Sequence, residues 1–117
     1  AQDRAIAAGG TLVAQEQAKR DRHPLDRWDE VAARAQQGVF PKPLDDFIGR
    51  YHGLFFVGPA QDAFMCRLRI PGGIITAAQA IEVAAIAEEC GGGYVDCTTR
   101  ANLQIRLIPA HRAAEVV

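Results

Sequence analysis

No two cysteines stand close together in this sequence. Cys66, Cys90 and Cys97 form an odd set without the short spacing that holds zinc or an iron-sulfur cluster, so they read as buried thiols in a reducing compartment. Nor does one sign of charge dominate. Thirteen basic residues against fourteen acidic ones give a net charge of −1. That leaves no overall field to attract nucleic acid or an anionic membrane, so any anion site must be local. Every apolar run is broken by charge well short of the roughly 20 residues of a membrane span, and no basic, apolar leader precedes them. The expectation is a cytoplasmic protein that binds neither membrane nor nucleic acid. The first residue is Ala1, and Val117 falls inside an apparent helix start, so both ends read as cuts in a longer protein.

What is present suffices for one modest domain carrying an extended arm. The chain has 117 residues, 49% hydrophobic and 23% charged, an ordinary balance for a globular protein with a real core. Residues 1–20 are weakly helical, interrupted by Gly9 and Gly10. Asp26 then precedes Trp28, Val31, Ala32 and Ala35, an apolar stripe at helical spacing that Gly38 closes. Through residues 39–61, Pro41, Pro43 and Pro59 with several glycines argue against regular structure, while Phe40, Phe47, Tyr51, Leu54, Phe55 and Phe56 argue against a free linker. An irregular arm pinned onto another surface is expected there. The domain organisation is therefore read as an arm over residues 1–61 and a packed unit over residues 62–117.

From Phe64 the pattern sharpens. In FMCRLRI, Cys66, Leu68 and Ile70 point one way and Met65, Arg67 and Arg69 the other, which predicts a strand with one wet face. Pro71-Gly72-Gly73 ends it. Thr76 with Gln79 makes a capping box, Val83, Ile86, Ala87 and Cys90 form a helical stripe, and Gly91-Gly92-Gly93 stops the helix. Residues 94–98 read as a second strand. Residues 102–108 read as a third, with Leu103, Ile105 and Leu107 alternating with Asn102, Gln104 and Arg106, and residues 110–117 as the first turns of another helix. This order matches the opening of a ferredoxin-like split βαβ unit, an α+β fold whose sheet is covered by helices on one face.

The other face collects Arg67 and Arg69 from the first strand with Gln104 and Arg106 from the third, and Arg100 in the bend before it can join from the rim. Guanidinium forks held on rigid strands suit carboxylate or phosphate groups, so the ligand is expected to be a polyanion. Any exposed strand face can alternate arginines with solvent. This one, however, shows arginine without lysine or an acidic partner, where exposed strands usually mix signs. His23, His52 and His111 lack metal spacing and read as surface residues, and Glu88-Glu89 reads as a solvated pair.

The stretch FMCRLRIPGGIITAAQAIEVAAIAEECGGGYVDCTTRANLQIRLIP, residues 64–109, resembles the ferredoxin-like half-domain that begins the catalytic part of siroheme nitrite and sulfite reductases. Two motifs carry the likeness, R-x-R-x-P-G-G at the strand end and T-T-R-x-N-x-Q after the second strand. WDEVAARAQQGVFP and DDFIGRYHGLFF are similar to the arm that precedes this half-domain in the nitrite reductase branch. The resemblance implies a siroheme macrocycle rich in carboxylates, bridged to a 4Fe-4S cluster and supplied by a donor such as ferredoxin, on which nitrite or sulfite undergoes six-electron reduction. It implies that Arg67 reaches the substrate side of the iron, the catalytic position, and that Arg100, Gln104, Asn102, Arg106 and, less directly, Arg69 belong to cofactor binding.

Two departures qualify the likeness. Ala101 and Arg106 stand where many members carry glutamine and histidine, and A-N-L-Q-x-R also resembles precorrin-3B synthase, a relative in cobalamin synthesis. The family's four cysteine ligands form two close pairs that this chain lacks, so they are expected in a remaining C-terminal part, with the isolated chain inactive and free of cofactor. The competing reading is a self-standing ferredoxin-like module that binds nucleotides or RNA. Such a sheet should display aromatics for stacking, and the wet face offers Tyr94 at most.

Overall fold

The alternation in FMCRLRI and the capping box at Thr76 produce the elements they encode, within a sheet that also recruits the arm. The computed structural model describes residues 1–58 and 61–117. In chain order these residues form α1 (Gln2–Ala7), α2 (Ala14–Asp21), α3 (Trp28–Gln36), α4 (Pro43–Tyr51), β1 (Leu54–Val57), β2 (Ala63–Arg67), α5 (Ala77–Cys90), β3 (Val95–Thr98) and β4 (Asn102–Ile108). Short 3-10 turns lie at Pro24–Arg27, Pro71–Gly73 and Ala110–Arg112. No helix of the described residues is long and apolar enough to cross a membrane.

The described strands form one sheet in the order β1-β2-β4-β3, and each neighbouring pair is antiparallel. Strands β2 and β3 both run against β4, so they are parallel to each other with β4 between them and α5 as the crossover. That is the split βαβ arrangement of a ferredoxin-like α+β half-domain. Helix α5 starts where Thr76 Oγ1 accepts from the Gln79 amide at 3.2 Å and the Thr76 amide donates to Gln79 Oε1 at 3.0 Å. It ends pressed against β4. A Cβ on Gly91 would lie 2.8 Å from both the Arg106 carbonyl oxygen and Ile105 Cγ2, and the next amide, of Gly92, donates to that carbonyl at 2.9 Å.

One apolar cluster joins both halves of the chain. Val31 and Ala35 of α3, Ile48 of α4, Leu54, Cys66, Ile105 and Ile108 of the sheet, and Ala87 and Cys90 of α5 are buried together. Burying apolar area on this scale is the dominant stabilising term for a domain of this size.

Three expectations are corrected. Residues 39–61, read as irregular, contain α4 and β1, although Pro59 lies outside the described residues. Pro43 opens α4 at its first turn, where no backbone N–H is required, and Asp45 accepts from the Lys42 amide at 3.3 Å. The arm is thus held by β1 pairing and by Phe40, whose ring lies 4.8 Å from Phe56 and 6.0 Å from Phe64. The alternation in β4 breaks after Arg106. Phe64 faces Ile108 while Cys66 faces Ile105, so Arg106 and Leu107 together oppose Met65 in a β-bulge. Leu107 takes φ of 57° and is 40% exposed, and Ile108 takes the buried place. Finally, residues 110–117 form a 3-10 turn and further turns instead of a helix, burying Ala110, Ala113 and Val116.

Candidate functional site

The sheet's open face carries a cleft of about 390 Å³ lined by Arg67, Arg100, Gln104 and Arg106 with Asp96, Cys97, Thr98 and Thr99. Register brings them together. Arg67 on β2 is the cross-strand partner of Gln104 on β4, and Gln104 in turn is opposite Asp96 on β3. Arg100 stands in the turn between β3 and β4, where its amide donates to Thr98 Oγ1 at 3.3 Å. Its guanidinium is exposed and has no side-chain partner among the described residues.

Gln104 is buried between two guanidinium groups and has one amide oxygen to offer. Turned toward Arg67, that oxygen accepts from Nη2 and Nε at 3.0 Å each; turned the other way, it accepts a single 3.3 Å bond from Nη2 of Arg106. The paired arrangement satisfies more donors and is the favoured orientation of the amide. On its other side Arg67 stacks over Phe55 of β1, with Cζ 4.7 Å from the ring centroid. Arg106 is engaged by Asp96, with Nε 2.5 Å from Oδ2. The arrangement is a charge contact without aligned hydrogen-bond geometry, since the buried Nε of Arg106 has no hydrogen-bond partner among the described residues.

The expected absence of an acidic partner is therefore corrected. Asp96 enters the face because the V-D-C-T alternation of β3 places it there, a signal that becomes usable only once β3 is in register with β4. Phe55 was also missed, because β1 was read as irregular. Met65, expected on a wet face, is 8% exposed. Arg69 lies past the end of β2, where its Nη2 donates to the Tyr51 carbonyl, and it lines a neighbouring groove with Arg67 and His52 instead of the cleft. Asn102 turns its Oδ1 to the Leu103 amide at 2.9 Å and borders a separate hollow under Ile70 and Ile75.

Three positive charges against one negative leave the cleft positive by two, a donor set matched to carboxylates or a small oxyanion. Among the described residues no group of three or more His, Cys, Asp or Glu could hold an ion. Cys66 and Cys90 are buried, Cys97 is exposed, and burial pushes the Cys66 thiol up to about 11.

Comparison with known proteins identifies the unit that carries the cleft. The family model described as the nitrite/sulfite reductase ferredoxin-like half domain matches residues 58–117. A ferredoxin-nitrite reductase of Leptolyngbya laminosa is 47% identical over 58 residues, a stretch that spans 49% of this chain and 11% of that relative. The match covers the β2–α5–β3–β4 unit and both arginine-bearing segments of the cleft. By this half domain the chain belongs to the nitrite/sulfite reductase family.

Proposed function

We propose that this chain is the opening part of a siroheme nitrite or sulfite reductase and that its arginine cleft receives the anionic edge of the cofactor and its oxyanion substrate. The observation that carries the reading is the convergence of Arg67, Arg100 and Arg106 on one cleft held by rigid strands and one tight turn. When bound, siroheme with its 4Fe-4S cluster supplies the iron and the electrons for a six-electron reduction, drawn from a donor such as ferredoxin. Ligands for those metals are assigned to the remaining C-terminal part.

The residues divide by their surroundings. Arg67 is clamped between Gln104 and Phe55, so its remaining donors point in a fixed direction, as stabilising negative charge on an oxyanion requires. Arg100 is exposed on a turn and suits a peripheral carboxylate, with Arg106 and Gln104 behind it. Arg69 and Asn102 lie outside the cleft, in a neighbouring groove and a separate hollow, and carry no part of this reading.

The test is a pair of variants in the whole reductase. Arg67→Ala should leave siroheme bound while weakening oxyanion binding and slowing turnover. Arg100→Ala should lower siroheme occupancy first, with activity per bound siroheme falling less. Siroheme absorbance and nitrite and sulfite kinetics separate the two. Reversed phenotypes would exchange the roles, and two silent variants would reduce the cleft to solvated surface.

A further inference from the structure

Asp96 is the one acidic group in a cleft otherwise built to attract anions. Its carboxylate is half-buried, as is the guanidinium of Arg106 that it touches at 2.5 Å, with side-chain exposures of 41% and 34%. At that exposure a lone ion pair contributes little to stability, on the order of 1 kcal/mol or less. A stabilising role alone is a weak explanation for a charge that lowers the cleft's attraction for its ligand.

The neighbouring amide supplies a better one. Gln104 can give its oxygen to Arg67 by two 3.0 Å bonds or to Arg106 by one of 3.3 Å, but not to both. Asp96 faces Gln104 across the β3–β4 ladder and meets Arg106 at Nε, on the same guanidinium that competes for the amide. With Asp96 ionised, Arg106 already has its counter-charge. Without it, the buried Nε of Arg106 keeps neither a charge partner nor a hydrogen bond among the described residues, and the guanidinium is left with the Gln104 oxygen, which it reaches through Nη2 at 3.3 Å.

We infer that Asp96 is a positioning residue: its carboxylate holds Arg106 to β3 and so reserves the Gln104 oxygen for Arg67, fixing the direction in which Arg67 presents its free donors. The influence runs from Asp96 through Arg106 to Gln104 and Arg67, across three strands, with the Gln104 oxygen serving one arginine at a time. The geometry stands without any cofactor; only its consequence for oxyanion binding rests on the function proposed above.

The experiment therefore uses the ligand-free 117-residue chain and reads the Nε–H resonance of Arg67 by nitrogen-15 NMR, with its hydrogen-exchange rate. In the wild type and in Asp96→Glu this proton should be slow to exchange. Asp96→Asn should speed its exchange by up to about tenfold, the worth of one hydrogen bond, with the backbone amide spectrum otherwise retained. In a Gln104→Ala background, Asp96→Asn should add nothing, because the shared acceptor is gone. Arg106→Met, which removes the competitor, should leave Arg67 as slow as in the wild type. It also serves if Asp96→Asn does not fold. Unchanged Arg67 exchange in a folded Asp96→Asn chain, or acceleration by Arg106→Met as large as by Gln104→Ala, overturns the inference. Either result leaves the siroheme reading to its own test, which uses different variants and a different readout.

Discussion

Arg67 on β2 and Gln104 on β4 are cross-strand partners, and the 6%-exposed Gln104 amide gives its oxygen to both Nε and Nη2 of Arg67 at 3.0 Å. Two substitutions at Gln104 should separate its contributions. Gln104→Leu keeps the volume but removes the acceptor, so stability to urea should fall by about 1–2 kcal/mol as Arg67 is left to partial hydration. Gln104→Glu should keep stability near the wild-type value, because a carboxylate now sits between two guanidiniums. It should weaken binding of a polycarboxylate porphyrin measured by absorbance titration, since the cleft loses one of its two excess positive charges. Equal porphyrin affinity in Gln104→Glu and the wild type would show that the cleft's charge does not govern binding.

Gly53 ties the arm's hairpin to the same arginine. It has φ of +86°, its carbonyl accepts from the Arg67 amide at 2.8 Å, and a Cβ would lie 2.9 Å from the Arg67 carbonyl oxygen. Gly53→Ala therefore combines a left-handed backbone cost of about 1–2 kcal/mol with a backbone collision, and should destabilise by about 3 kcal/mol or more. Gly38→Ala is the control: φ is +64° but nothing lies within 4 Å, so only the conformational cost of about 1 kcal/mol is expected. Urea unfolding of both variants decides the point, and equal losses would mean that β1 and β2 approach less closely than described.

The parts legible in the sequence are those encoded by short-range periodicity. The two-residue alternation around Cys66, the capping box at Thr76 and the triple glycine at Gly91 each specify local structure, and β2, α5 and β3 follow from them. Where prolines were read as breakers, the reading failed, since Pro43 occupies a helix position that needs no N–H. The bulge at Leu107 and the pairing of Asp96 with Arg106 could not be read either. Both depend on register between strands distant in sequence, and alternation within one strand carries no information about which residue of the neighbour it faces. The cleft's arginines were thus visible, and the acidic group that organises them was not.

Asp46 joins α4 to β1 through a single side chain. Its Oδ1 accepts from the Phe56 amide at 2.9 Å, while Oδ2 meets Arg50 at 2.6 Å. The Arg50 side chain is 53% exposed, so that pair is screened and worth little, whereas the backbone amide loses its acceptor outright when Asp46 is truncated. Asp46→Ala should cost about 1–2 kcal/mol in urea unfolding, and Arg50→Ala less than about 0.5 kcal/mol. The same loss in both variants would assign the effect to the ion pair.

Cys66 next to Arg67 offers a test by pH. The thiol is 3% exposed, and burial pushes it up to about 11 from 9.0. Its folded form is neutral over a range in which the unfolded form has already ionised. As pH rises through about 9 the unfolded chain releases a proton that the folded chain keeps, so stability falls until the folded thiol also titrates near 11. Two units correspond to about 3 kcal/mol at most. Cys66→Ala removes this loss while adding a small cavity, so it should be less stable than the wild type near neutrality and close the gap as pH rises between about 9 and about 11. Urea unfolding of both chains across that window measures the gap, with other alkaline titrations cancelling in the comparison. A constant gap would mean that Cys66 ionises as freely folded as unfolded. A closing gap would establish that the thiol beside Arg67 is held neutral by the core over a range in which the unfolded thiol has ionised.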